Sequence, residues 1–128
     1  MVRKRALQVA LVLPGLLYSA AIYPAVMPLL HFSPNDDTGD TMMMSLYFTL
    51  GVFLLIAVRN PSHHRSLIAF AAWSNFAHAL TMSILGMYIP SERAGFLIGS
   101  ALLIVIGAAL LALLPPKPPI APQAATAA

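Results

Sequence analysis

No cysteine occurs in the 128 residues, which excludes disulfide staples, thiolate nucleophiles, Cys-ligated zinc or iron-sulfur clusters and any dithiol relay. Charge is nearly as scarce. Lys, Arg, Asp and Glu make up 9% of the chain, against about 25% in soluble domains. The apolar and aromatic residues amount to 59%, with a mean hydropathy of +0.83. Seven Lys/Arg and four Asp/Glu are too few to coat a soluble globule of this size. The apolar excess must face lipid. A net charge of +3 does not point to nucleic acid, because the basic residues are too scattered to track a phosphate backbone.

What is present is four long apolar runs, which predict an all-α, integral membrane four-helix bundle with short loops. After Arg3, Lys4 and Arg5, residues 6–30 carry no Asp, Glu, Lys or Arg, enough to cross a hydrocarbon core of about 30 Å. A basic segment before an apolar run also resembles a signal peptide with cleavage near Ala20-Ala21. The run continues to Leu30, however, so an uncleaved anchor is expected. Pro14, Pro24 and Pro28 each remove a backbone donor, so this span should bend or loosen. Ser33-Pro34-Asn35-Asp36-Asp37 is turn chemistry, with Asp40 or Thr41 able to cap the second span, 42–58. Asn60-Pro61 reads as an N-cap followed by Pro at the first helical position, with the lipid-buried part of the third span at 66–88. Ser91 can cap the fourth, 95–114, which Pro115-Pro116 stops. Residues 1–114 thus form the membrane domain. The tail, 115–128, holds five of the eleven prolines and should be a disordered cytoplasmic segment.

Arg3, Lys4, Arg5, Arg59, Arg65 and Lys117 fall at one set of span ends. Asp36, Asp37, Asp40, Glu92 and Arg93 fall at the other. Because Lys and Arg near span ends stay in the cytoplasm, both termini are predicted cytoplasmic. So strong a bias excludes a dual-topology dimer, whose charge asymmetry must be near zero. Lipid gives little hydrophobic drive for helix association, so small residues should mark the seams. Gly95 and Gly99 form a GxxxG step with Gly107 on nearly the same face, and Gly15 with Ser19, and Ala71, Asn75, Ala79 and Ser83, form further four-residue ladders. A chain rich in Ala and Gly also makes such steps by chance.

The stretch Ala57-Val58-Arg59-Asn60-Pro61-Ser62-His63-His64-Arg65-Ser66-Leu67-Ile68, continuing through Ala72-Trp73-Ser74 to His78-Ala79, resembles the signature of a family of uncharacterised small four-span bacterial inner-membrane proteins. The opening Arg5–Leu13, the step Ile22-Tyr23-Pro24 and Leu50–Leu55 add to the likeness, while the fourth span matches only as generic apolar helix. The resemblance implies the architecture and a bacterial inner membrane. It assigns no activity and no catalytic residues.

Within the apolar runs no Asp, Glu, Lys or Arg appears, which removes the carboxylate on which ion-coupled transporters and proton pumps usually depend. The polar exception is a cluster on the third span, Ser74, Asn75, His78 and Thr81, with Trp73 as a packing residue or pocket wall and Met82 one turn outward. His64, Ile68, Ala71, Asn75, His78 and Met82 share one helical stripe. His78 reads either as a metal or haem ligand, proton relay or headgroup anchor, or as a neutral imidazole bonded to a Ser, Thr or Tyr on another helix. A bis-His haem needs a second His at the same depth, and His31, His63 and His64 sit near span ends. Met27, Met42, Met43, Met44, Met82 and Met87 lie in the outer half of the slab beside His31, donors suited to Cu(I), although Met is also the flexible filler of apolar packing. No metal or cofactor is assigned.

Three classes of function remain. The first, which explains most with least, is a non-catalytic membrane subunit or scaffold that packs on itself or on a larger membrane protein through glycine-rich faces. The second is a pocket protein binding a lipid-like molecule, haem or metal around His78, with an enzyme as a special case. The third, a transporter or channel, is disfavoured by the absence of buried charge.

Overall fold

The computed structural model describes residues 1–35 and 37–117. The chain folds as α1 Val2–Ser19, α2 Ile22–Leu30, α3 Thr38–Ala57, α4 Arg65–Tyr88 and α5 Arg93–Ala112. Four helical units are long and apolar enough to cross a membrane, α1 and α2 together forming the first, Val2–Leu30. The protein is a multi-pass membrane protein built entirely of helices among the described residues. Asp36 of the expected turn, and the tail from residue 118 onward that was expected to be disordered, lie outside the described residues.

The break in the first span follows from proline chemistry. Pro24 has no N–H to offer the Ala20 carbonyl, which accepts instead from Tyr23 N at 3.2 Å, while Ala21 N turns back to Tyr18 O at 3.0 Å. Ala20 and Ala21 nevertheless keep right-handed helical angles, so α2 follows α1 within one span, Val2–Leu30.

Three expected caps are corrected. The cap of α3 is Asp37 rather than Asp40 or Thr41: its extended backbone lets Oδ1 accept from Gly39 N at 2.9 Å and Asp40 N at 3.3 Å. The helix accordingly starts at Thr38, with Asp40 in its first turn. Asn60 does not cap α4. His63 N and His64 N bond back three residues to Asn60 O and Pro61 O, giving tight turns, and the helix proper begins at Arg65. Likewise Glu92, not Ser91, stands at the N-cap of α5, with no side-chain cap.

Antiparallel neighbours in sequence pair into two hairpins, α1/α2 against α3 and α4 against α5, and the hairpins then meet through α1 with α5 and α3 with α4. Glycine permits the first pairing. A Cβ on Gly51 would collide with the backbone N of Ser19 and stand 2.8 Å from Gly15 O, so α1 and α3 touch backbone to backbone. In the second hairpin a Cβ on Gly107 would lie 3.0 Å from Ala72 O and from the Phe76 ring. Ser100 Oγ donates to Ala79 O at 3.0 Å across the same seam.

Buried positions recur every three or four residues. Leu7, Leu11, Gly15 and Tyr18 face inward from α1, Ile68, Ala72, Asn75 and Ala79 from α4, and Ser100, Leu103, Gly107 and Leu110 from α5. The ends are tied by arginines. Arg3 Nη2 donates to Leu114 O at 3.4 Å and Arg65 Nε to Pro115 O at 2.8 Å, holding the start of α1, the start of α4 and the finish of α5 together. At the opposite end Arg93 Nε donates to Gly86 O at 3.0 Å, satisfying a carbonyl that the last turn of α4 leaves open.

Candidate functional site

The polar cluster of α4 separates into three settings because 100° per residue distributes it around the helix. Ser74 and His78 turn toward α3. Asn75 is 1% exposed and faces α1, where its Oδ1 accepts from Tyr18 OH at 2.9 Å. Its Nδ2 and the Ser19 Oγ are buried without a hydrogen-bond partner among the described residues. Met82 turns toward α5, its Cε 2.6 Å from where a Cβ on Gly99 would stand. Trp73, expected as a packing residue or pocket wall, is 63% exposed on the outer surface, about 200° around the helix from Asn75, with its ring edge-on to Phe76. Thr81 is exposed and its hydroxyl donates to Ala77 O of its own helix.

Where α3 and α4 run side by side, a groove of about 440 Å³ remains. Met43, Leu46, Leu50, Phe53, Leu67 and Phe70 supply its apolar lining, and Tyr47, Thr49, Ser74 and His78 its polar atoms. Leu46, Phe53 and Phe70 are each half exposed or more, so the groove opens on the outer surface of the bundle. The Thr49 hydroxyl donates to Ser45 O and the Ser74 hydroxyl to Ala71 O, which commits both protons to the backbone. Tyr47 and His78 make no hydrogen bond among the described residues. Their rings meet edge to face, with centroids 5.5 Å apart and planes at 87°. Tyr18 in turn stands edge-on to Tyr47 at 5.1 Å, so a file of aromatic and polar groups runs from the Asn75 seam to the groove.

Among the described residues His78 is thus bonded to no Ser, Thr or Tyr; the hydroxyl of Tyr18 goes to Asn75, and Tyr47 meets His78 only ring to ring. Tyr47 was missed by the sequence reading, although it lies at the tenth of the twenty positions of α3, at mid-span like His78 on the next helix. No three His, Asp or Glu side chains among the described residues converge as metal ligands. The methionines disperse: Met43 lines the groove, Met82 packs on Gly99, Met42 and Met87 are exposed, and Met27 and Met44 line a separate hollow with Asp37 and Asp40.

The glycines proposed as packing seams divide as well. Gly99 and Gly107 face α4, whereas a Cβ on Gly95 would meet nothing within 4 Å. Gly95 is therefore corrected as a helix contact within this chain: Arg93 and Phe96, on either side of it in the first turn of α5, pack on Gly86 of α4, while Gly95 is exposed off that seam. No curated protein and no solved structure matches the chain. The model of DUF6632, a family of unknown function, matches residues 2–122, and the chain belongs to that family.

Proposed function

We propose that the protein is a membrane-embedded binding protein that holds one lipid-like molecule in the groove between α3 and α4, with its polar end at His78 and Tyr47. The groove itself carries this reading. Its volume of about 440 Å³ falls in the range of small-molecule sites, about 300–1,000 Å³, and such sites combine apolar walls with a few convergent polar groups. It also stands where the fold is least closed: the helices within each hairpin interlock through glycine, while α3 and α4 leave space between them. A haem or metal at His78 has less support, since no three His, Asp or Glu side chains among the described residues converge as metal ligands.

A subunit or scaffold packing on a second copy or a larger membrane protein through Gly95, Gly99 and Gly107 also has less support, because two of the three glycines already serve contacts inside the chain. The partition of Lys and Arg supports cytoplasmic termini, and the resemblance to bacterial proteins supports an inner-membrane location.

Groove-filling substitutions test the proposal from both walls. Protein excised with its native lipids into polymer nanodiscs should carry a one-to-one adduct by native mass spectrometry, and Thr49→Phe and Ser74→Phe should each lose it while keeping full helical content. An adduct pattern identical in wild type and both filled variants would refute the groove as the site.

A further inference from the structure

We infer that the molecule in the groove has an uncharged head carrying a hydrogen-bond-accepting carbonyl, as in a long-chain quinone, and not a phosphate. This deepens the reading above and rests on it. The first argument is depth. Tyr47 is the tenth of twenty residues in α3 and His78 the fourteenth of twenty-four in α4, so the polar end of the groove lies near the middle of the membrane. Residues 41–58 and 66–91 contain no Asp, Glu, Lys or Arg. A phosphate held there would be an anion without a counter-cation in low dielectric, an arrangement that membrane proteins avoid.

The second argument is the donor inventory. Of the four polar side chains lining the groove, Ser74 and Thr49 give their protons to carbonyls of their own helices. Tyr47 and His78 give theirs to nothing among the described residues. A phenol always has one O–H to donate and a neutral imidazole one N–H. Two unused donors, on rings 5.5 Å apart, call for an acceptor with more than one lone pair, which is what a carbonyl oxygen supplies. The rest of the lining is apolar and opens toward lipid, so a hydrocarbon chain attached to that head can run out along Phe53 and Phe70 without crossing a charge.

The test uses the full chain in zwitterionic nanodiscs, with 2-decyl-1,4-benzoquinone, decyl phosphate and decylbenzene as probes of matched chain length and native mass spectrometry as the readout. The quinone should bind one per chain, about ten-fold or more tighter than the other two. Tyr47→Phe and His78→Phe, which keep both rings and their edge-to-face contact, should each weaken it several-fold and leave decylbenzene binding unchanged. Tighter binding of the phosphate overturns the uncharged head and leaves the groove standing. Equal binding of all three probes, indifferent to both variants, overturns recognition by Tyr47 and His78. If no probe binds one per chain, the groove reading falls with it.

Discussion

Among the described residues Asn75 is the most deeply buried polar side chain, 1% exposed. Its carbonyl takes the Tyr18 hydroxyl at 2.9 Å while its amide hydrogens find no acceptor among the described residues, so the same side chain both stabilises and costs. Interhelical hydrogen bonds in membranes contribute on average about 0.6 kcal/mol and at most about 2, and an unsatisfied buried donor costs about 1–3 kcal/mol. Tyr18→Phe should therefore lower the unfolding free energy in detergent by about 1 kcal/mol, because it leaves the whole amide of Asn75 unpaired. Asn75→Leu, of similar size, removes the orphaned amide donors and strands the single Tyr18 hydroxyl in place of a whole amide, so it should cost less than Tyr18→Phe. Once Leu is in place, the further change at Tyr18 should cost nothing. Strictly additive effects in that double-mutant cycle would mean that the two side chains do not interact.

At the scale of the helices, glycines with the same sequence signature differ in what surrounds them, and this ranks their alanine variants. Gly51→Ala forces α1 and α3 apart, since the obstruction is the backbone of Ser19 and Gly15, and should destabilise by about 1–3 kcal/mol, the ordinary range for overpacking. Gly99→Ala meets only the mobile end of Met82 and should be absorbed by a rotamer change. Gly95→Ala meets nothing and should stabilise by up to about 1 kcal/mol through helix propensity. Thermal unfolding of the three variants gives the order, and a Gly51 variant as stable as the Gly95 one would contradict the close crossing.

The same comparison indicates what was legible in the sequence. The four spans could be read because uninterrupted apolar length is a one-dimensional property. Their inward faces could not, because Leu46 and Phe53, half exposed or more, are as apolar as buried Leu54, and lipid erases the contrast that water writes into soluble helices. For that reason Trp73 and Thr81 were grouped with His78 although they point elsewhere, while Tyr47, on another helix, was missed. The caps were misplaced by a few residues because several turn residues in succession, Asp37, Asp40 and Thr41, can each cap, and only backbone angles choose between them.

For the whole molecule, the two hairpins place the start of α1, the end of α3, the start of α4 and the end of α5 at one pole. Arg3 and Arg65 are tied there to carbonyls at the end of α5. Six of the seven Lys and Arg lie at that pole, and Asp37, Asp40 and Glu92 at the other with Arg93. Basic residues flanking spans resist translocation whereas acids hardly count, so this pole should be cytoplasmic. An alkaline-phosphatase fusion after Asp37 should accordingly be active and one after Ser62 inactive. Arg65 separates orientation from stability: its guanidinium holds the two hairpins at Pro115, yet five other basic residues remain at the pole if it is removed. Arg65→Gln should therefore lower thermal stability in detergent while both fusions keep their activities. A reversed fusion pattern in the wild-type chain would overturn the orientation, and a reversal on Arg65→Gln alone would mean that this one residue, and not the sum over the pole, decides which way the protein inserts.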